Sequence, residues 1–335
     1  MRDYILPLAL VASVVFSTGH AASAADPVAP FIMKMATAAQ KDHQTEFIDR
    51  FTAAIEKDSK GRIKVEEYPD GVLGSIPRMI ENTQFGAIQA WVGSPQFLTG
   101  IDRRYEVTQL PIFSTSAQAF KTFEDPEFNK AFLDLGADKG LKGIALFYSS
   151  RQGIVTRKPV PTIDDLKGLK IRSTAGVVMS NEMHLLGATA VPMPLDQVLP
   201  ALQQGAIDGT LISIGVAGPN KYYTVAPNLT ELDIDDESDI CVVSKLWFDK
   251  LPSDLQALIT ADAAKVARDM YPWTLDFIST QRKAWVAGGG HLYELTPAQH
   301  KQLHDIIFRT GDDVTAGNPD FKAIYDTMVR ASKKY

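Results

Sequence analysis

Apolar positions fall along the chain in two rhythms, short extended runs and stripes at helical spacing, and their alternation predicts strands and helices in succession. Phe31-Ile32-Met33-Lys34-Met35-Ala36 reads as a first strand. Phe47, Phe51, Ala54 and Ile55 form a helical stripe closed by Ser59-Lys60-Gly61. Ile63-Lys64-Val65-Glu66-Glu67-Tyr68 alternates as a second strand before the turn Pro69-Asp70-Gly71. Met79, Ile80 and Phe85 predict a helix ended by Gly86, and residues 88–92 a third strand ending in Gly93-Ser94-Pro95. This βαβ order implies a mainly parallel sheet flanked by helices. Residues 117–135 read as helical, and residues 143–148 as a strand that leads to Arg151.

The densest pattern lies in residues 165–209. Residues 169–172 form a strand, Ser173 to Gly176 a small-residue turn, and Met179, Met183 and Leu186 a helix stopped by Gly187. Residues 189–191 form another strand. Asp196 is the expected N-cap of a helix whose stripe is Leu195, Val198, Leu199 and Leu202, with Gly205 as its stop. Residues 238–244 read as a strand returning between two lobes, and two separated crossings make a hinge with a cleft. Residues 252–277 are helical, with a kink or break expected at Pro272. Residues 296–308 and 319–328 read as closing helices. The expected division is lobe 1 over residues 26–148 plus about 240–270, and lobe 2 over 149–239 plus about 271–335, the latter including the bridging and C-terminal helices.

Arg172 stands where a strand ends and a helix is about to begin, the edge at which open α/β sheets bind ligands. Its planar fork fits a carboxylate, although a surface ion pair would equally account for such a residue. Gly93 and Ser94 follow a strand at its carboxyl end and are expected to line the facing wall. Trp91, Phe113 and Tyr148 are candidates for apolar ligand surface or for core, and His43 for a donor in the first strand-to-helix loop.

The chain has 335 residues and a net charge of −6, which argues against nucleic acid and anionic membrane as partners. An organic anion would have to be held by local cations. Arg2, the apolar run from Tyr4 to Phe16 and Ala22-Ser23-Ala24 read as a secretory signal over residues 1–25, cut after Ala24 or Ala25. A periplasmic, soluble mature protein is expected. The single cysteine, Cys241, lies in an apolar run and excludes an intramolecular disulfide. No G-x-S-x-G, H-E-x-x-H, Walker or C-x-x-C pattern occurs, and Gly288-Gly289-Gly290 lacks nucleotide-loop spacing. Catalysis, cofactors and metals are not expected. Asp233, Asp235, Asp236, Glu237 and Asp239 read as a solvated surface loop, not a calcium loop.

Five ordered stretches, GRIKVEEYPDGVLGS, DLKGLKIR, LGATAVPMP, ALQQGAIDG and SKLWFDKLPSDLQALI, resemble the substrate-binding proteins of tripartite ATP-independent periplasmic (TRAP) transporters, the DctP-like family. The resemblance covers nearly all of the mature chain. It implies a two-lobe periplasmic binding protein fold with a long bent helix bridging the lobes. It also implies Arg172 as carboxylate anchor and Arg151 as a second cleft arginine. The implied partners are a small carboxylate and the integral membrane subunits of a permease driven by an ion gradient. A monomer is expected. A ligand sensor for a membrane receptor and a periplasmic enzyme are the other readings. One departure stands out. Many relatives carry Glu-Asn where this chain has Leu211 and Ile212, followed by Ser213. That makes this wall more apolar and favours a monocarboxylate with an apolar or aromatic body over sugar acids.

Overall fold

The computed structural model describes residues 29–174 and 176–335, without the side chains of residues 233–235. The expected signal segment, residues 1–25, lies outside the described residues. β1 (Phe31–Ala36) pairs in parallel with β2 (Ile63–Tyr68), and α1 (His43–Asp58) connects them. Asp42 starts α1 by accepting the amides of Gln44 and Thr45 while Thr45 answers the Asp42 amide, a reciprocal cap. α2 (Ile76–Gln84) leads into β3 (Ala90–Gly93), again parallel to β1. The helix expected over 117–135 is two helices, α3 (Ser116–Phe123) and α4 (Pro126–Leu133). Pro126 forces the break, because it drives the preceding Asp125 into an extended conformation, where Asp125 caps α4.

β4 (Leu141–Thr156) runs far beyond the expected strand and carries Arg151 in its middle. The second lobe follows as β5 (Lys170–Ser173), α5 (Val177–Leu185), β6 (Thr189–Pro192), α6 (Val198–Gln204), β7 (Gly209–Ser213) and α7 (Ile214–Ala217). β5 is parallel to both β6 and β7. Asp196 does not cap α6. It sits inside a short 3-10 turn, Leu195–Gln197, that runs straight into the helix, so the extended conformation a cap requires is lost before Asp196 is reached.

β8 (Asn228–Ser244) then returns antiparallel to β4 along almost its whole length and also pairs with β3. The acidic run is therefore strand, not surface loop. Asp236 and Asp239 are buried because each meets a cation across the sheet or on a packed helix. After α8 (Lys245–Phe248), α9 (Ser253–Ala287) is one helix of 35 residues with Pro272 inside it. No break occurs at Pro272. The proline forfeits only its own bond to the carbonyl four residues back, and packing on both sides holds the helix together. β9 (His291–Glu294), which the residue pattern did not reveal, pairs in parallel with β8. α10 (Pro297–Ile307), α11 (Thr310–Thr315) and α12 (Pro319–Ser332) close the chain.

The nine strands among the described residues form one sheet in the order β2-β1-β3-β8-β4-β7-β5-β6, with β9 attached to β8. Each lobe is mainly parallel, and the antiparallel pair β4–β8 joins them. α9 bridges both lobes: Ile259 and Met270 lie in the lobe 1 cluster with Phe47 and Phe51, and Trp285 lies in a lobe 2 cluster with Ile212 and Tyr222. The C-terminal helices divide. Leu303 and Ile307 of α10 pack with Ile171 and Met183 in lobe 2, whereas Phe321 and Met328 of α12 pack with Phe128 and Phe132 in lobe 1. Cys241 is buried, as expected of an inert thiol, and burial raises its pKa far above the ordinary range. Among the described residues no helix is long and apolar enough to cross a membrane.

Phe47 of α1 stacks on Phe147 of β4 with ring centroids 4.7 Å apart, both buried. Phe47→Ala leaves a cavity where the first helix meets the crossing strand. It should lower unfolding free energy by about 3–5 kcal/mol in urea denaturation followed by circular dichroism.

Candidate ligand-binding cleft

The parallel strands of both lobes end at the gap between them. A cleft of about 430 Å³ lies there, lined by Ala38, Asp70, Gly71 and Ile76 from lobe 1 and by Leu195, Asp196, Leu199 and Tyr222 from lobe 2. A void of about 30 Å³, sharing Ala38, Ile76 and Leu195, lies against Trp91, Gly93, Ser94 and Gln44. Three of the expected wall residues are thus together. Gly93 is required where it stands, since a Cβ there would come within 2.3 Å of the Trp91 ring.

Arg172, in β5, is 3% exposed. Its Nε donates to the Met193 carbonyl at 3.0 Å and its Nη1 to the Leu211 carbonyl at 3.4 Å. Among the described residues no carboxylate comes within ion-pair distance of it, and Nη2 has no hydrogen-bond acceptor. A surface ion pair is thereby excluded. Burial pushes its pKa down to about 10, partly offset by Tyr222 and Glu237, so it stays charged at neutral pH. A buried cation fixed by neutral carbonyls costs free energy until an anion arrives.

Gln44, which lines the smaller void, leads to a buried polar group on the crossing strand β8. Asp239 ion-pairs with His43 at 2.7 Å and accepts from Gln44 Nε2 at 2.8 Å. Thr37 donates to Gln44 Oε1 at 2.6 Å. The His43 ring stands beside Gly215 of lobe 2, where an added Cβ would lie 3.5 Å from Nδ1. Burial alone would lower the His43 pKa, but Asp239 and Asp42 together raise it to about 9. Glu237, half-buried, accepts from Gln152 Nε2 at 2.6 Å. Burial pushes its carboxyl up to about 7, against the opposing pull of Ser213, His43 and Arg172.

The other expected residues scatter. Arg151 and Tyr148 do not join Arg172. They line a separate cavity of about 320 Å³ between β4 and α9, bounded by Leu275, Ile278 and Arg282. Arg151 forms a two-pronged pair with Asp236, Nε to Oδ1 at 3.1 Å and Nη2 to Oδ2 at 3.3 Å. Phe113 packs edge-on to Phe123 in the lobe 1 core, ring centroids 5.5 Å apart. Ile212 is buried in the lobe 2 core beside Tyr222. Ser213, paired in register with Gln152, is buried. Residue-by-residue reading missed Glu237, Asp239, Gln44, Leu195 and Tyr222. A signal for Asp239 existed: it is two residues from Cys241 in one extended run and therefore shares the Cys241 face.

A second contact spans the gap. Glu106, buried in the 3-10 turn Arg103–Gln109 of lobe 1, accepts the amides of Val177 at 2.6 Å and Val178 at 3.0 Å, capping α5 of lobe 2. Gly176 permits it. Its φ is +127°, and a Cβ there would lie 2.6 Å from Glu106 Oε2. Among the described residues no cluster of side chains could hold a metal ion.

The buried His43–Asp239 pair sets a pH dependence. His43 is raised above its unfolded value of 6.5, so its stabilisation is complete below that pH and is lost as pH rises through about 9. Melting temperature should fall between pH 6.5 and 9, and Asp239→Asn, which removes the main cause of the raised pKa, should flatten that slope. Differential scanning calorimetry across the window decides it.

Residues 35–310 match the family model for bacterial extracellular solute-binding protein, family 7, DctP. The 2,3-diketo-L-gulonate-binding periplasmic protein YiaO of Escherichia coli is 28% identical over 67% of this chain and 69% of its own. The C4-dicarboxylate-binding periplasmic protein DctP of Vibrio cholerae is 22% identical over 90% of this chain and 92% of its own. A TRAP periplasmic solute-binding protein from Desulfovibrio salexigens, solved with bound orotic acid, superposes with a TM-score of 0.86 at 19% identity, covering 91% of this chain and 99% of that one. That last likeness is one of fold. With most of its length matched by the family model, the chain belongs to family 7 of the bacterial extracellular solute-binding proteins.

Proposed function

We propose that the protein is an extracytoplasmic solute-binding protein that captures a small organic acid between its lobes and delivers it to a TRAP-type permease driven by an ion gradient. The observation that carries this reading is Arg172, a buried guanidinium at the carboxyl end of β5 with no acidic partner among the described residues. Family membership supports it, and the named relatives bind a keto sugar acid and C4 dicarboxylates. The ligand enters the open gap, meets Arg172 from one lobe and the Trp91–Ser94 wall from the other, and favours the shut form by its better fit there. His43, Ile212 and Ser213 act behind that surface. Arg151 serves the hinge through Asp236 rather than touching the ligand. The exported chain, freed of residues 1–25, works in the periplasm as a monomer, without catalysis and without nucleic acid. Lobe 1 comprises residues 26–148, about 240–270 and α12, and lobe 2 comprises 149–239 with β9 and α10.

Arg172→Met tests this. Each charge-assisted hydrogen bond contributes about 1.5–3 kcal/mol, so two of them correspond to a loss of affinity on the order of a hundredfold or more. The ligand-free protein should melt no lower than the unaltered one, because the substitution also removes an uncompensated buried charge. A thermal-shift screen of carboxylic acids reads both effects. Retention of the acid-induced shift by this variant refutes the assignment.

A further inference from the structure

α5 is fastened to both lobes at once. Met179 and Met183 lie in the lobe 2 cluster with Ile171, whereas Val178, one residue earlier, is fully buried in the lobe 1 cluster with Val107 and Leu110. The polar start of the helix is held the same way. Glu106 of lobe 1 is 2% exposed, and its Oε2 accepts the amides of both Val177 and Val178. A carboxylate on the first amides of a helix is a charge-assisted cap. α11, which leads from α10 of lobe 2 to α12 of lobe 1, adds to the junction. Its Val314 joins Val178 in the lobe 1 cluster, and Thr310 accepts from Asn181 of α5 at 3.3 Å. An ionic cap, an apolar plug and a hydrogen bond thus meet within one turn of helix.

None of these residues lines the cleft or its small void. They can hold the lobes together without touching a ligand. Yet α5 is the helix that follows β5, so the strand carrying Arg172 is held against lobe 1 by the same junction. Resting on the reading that the lobes close over a ligand, we infer that Glu106 and the first turn of α5 form a ligand-independent clasp. The clasp sets the share of closed molecules before any ligand arrives. A ligand that needs contacts from both lobes binds only that share, so its apparent dissociation constant is the intrinsic one divided by the closed fraction. Weakening the clasp lowers affinity although no contact to the ligand is lost. Glu106 is therefore a positioning residue.

The test uses the mature full chain with one spin label on each lobe, at Glu81→Cys of α2 and Gln203→Cys of α6. Both positions are exposed, both helices contribute to the cleft wall through Ile76 and Leu199, and Cys241 is buried away from the label. Pulsed electron paramagnetic resonance without ligand should show a short interlobe distance in the otherwise unaltered chain. Glu106→Ala should move the population to longer distances. Glu106→Gln, which keeps one carbonyl oxygen for an amide, should move it less, and it keeps the test open should the alanine variant not fold. For an acid found by thermal-shift screening, calorimetric titration should show Glu106→Ala weakening affinity about tenfold or more. A lower melting temperature with unchanged distances means that Glu106 only stabilises the fold, which overturns the clasp while carboxylate capture stands. Longer distances with unchanged affinity also overturn it. Longer distances in a protein that binds no carboxylate leave the clasp in place and overturn the carboxylate reading.

Discussion

β4 and β8 lie side by side through the middle of the molecule, and every other strand is added outward from that ribbon. Pairing over so long a register does two things at once. It joins two parallel half-sheets into one hydrogen-bonded surface, and it carries polar side chains into a place where loops would be exposed. Asp236 and Asp239 can be buried because their neighbours in register and on α1 supply Arg151 and His43. The ribbon also shifts register at Gly143–Ala145, Tyr148–Ser150 and Arg151–Gly153. Such irregularities raise local twist, and the last two lie where one lobe gives way to the next.

The chemistry of the cleft follows from unequal compensation. Two cations near the crossing are answered by aspartates and hold the structure together. The third, Arg172, has only carbonyl oxygens as hydrogen-bond partners among the described residues. A protein that wanted stability alone would pair or replace such a charge. Under the role proposed for Arg172, leaving it unanswered would make the unliganded cleft less stable than the occupied one, the difference that couples ligand to shape.

Much of this was legible in the residues. β2, β5 and β6 were readable because glycine or proline turns bound them, β1 because its apolar run precedes a helical stripe, and Arg172 stood out because it closes one of those runs. The failures share a cause. Pro272 reads as a helix breaker only if the helix must support itself, and α9 is gripped along its length by both lobes. The acidic stretch of β8 reads as solvated only if its partners are unknown, and Arg151 and His43 are far away in sequence. Arg151 and Arg172 look equivalent by motif. What separates them is their company: Arg151 lines the cavity beside α9 and pairs with Asp236, whereas Arg172 is buried against backbone carbonyls.

Glu106 reaches over from the opposite lobe to cover the first amides of α5, the helix that follows Arg172 by way of a short turn. In the opening motion that the proposed function requires, that carboxylate would depart and the amides of Val177 and Val178 would turn to water, leaving the electropositive tip of a helix bare. The gaping form is thus more attractive to passing anions than the shut one, and the same lure is blanked off by the protein's own acid once the jaws meet.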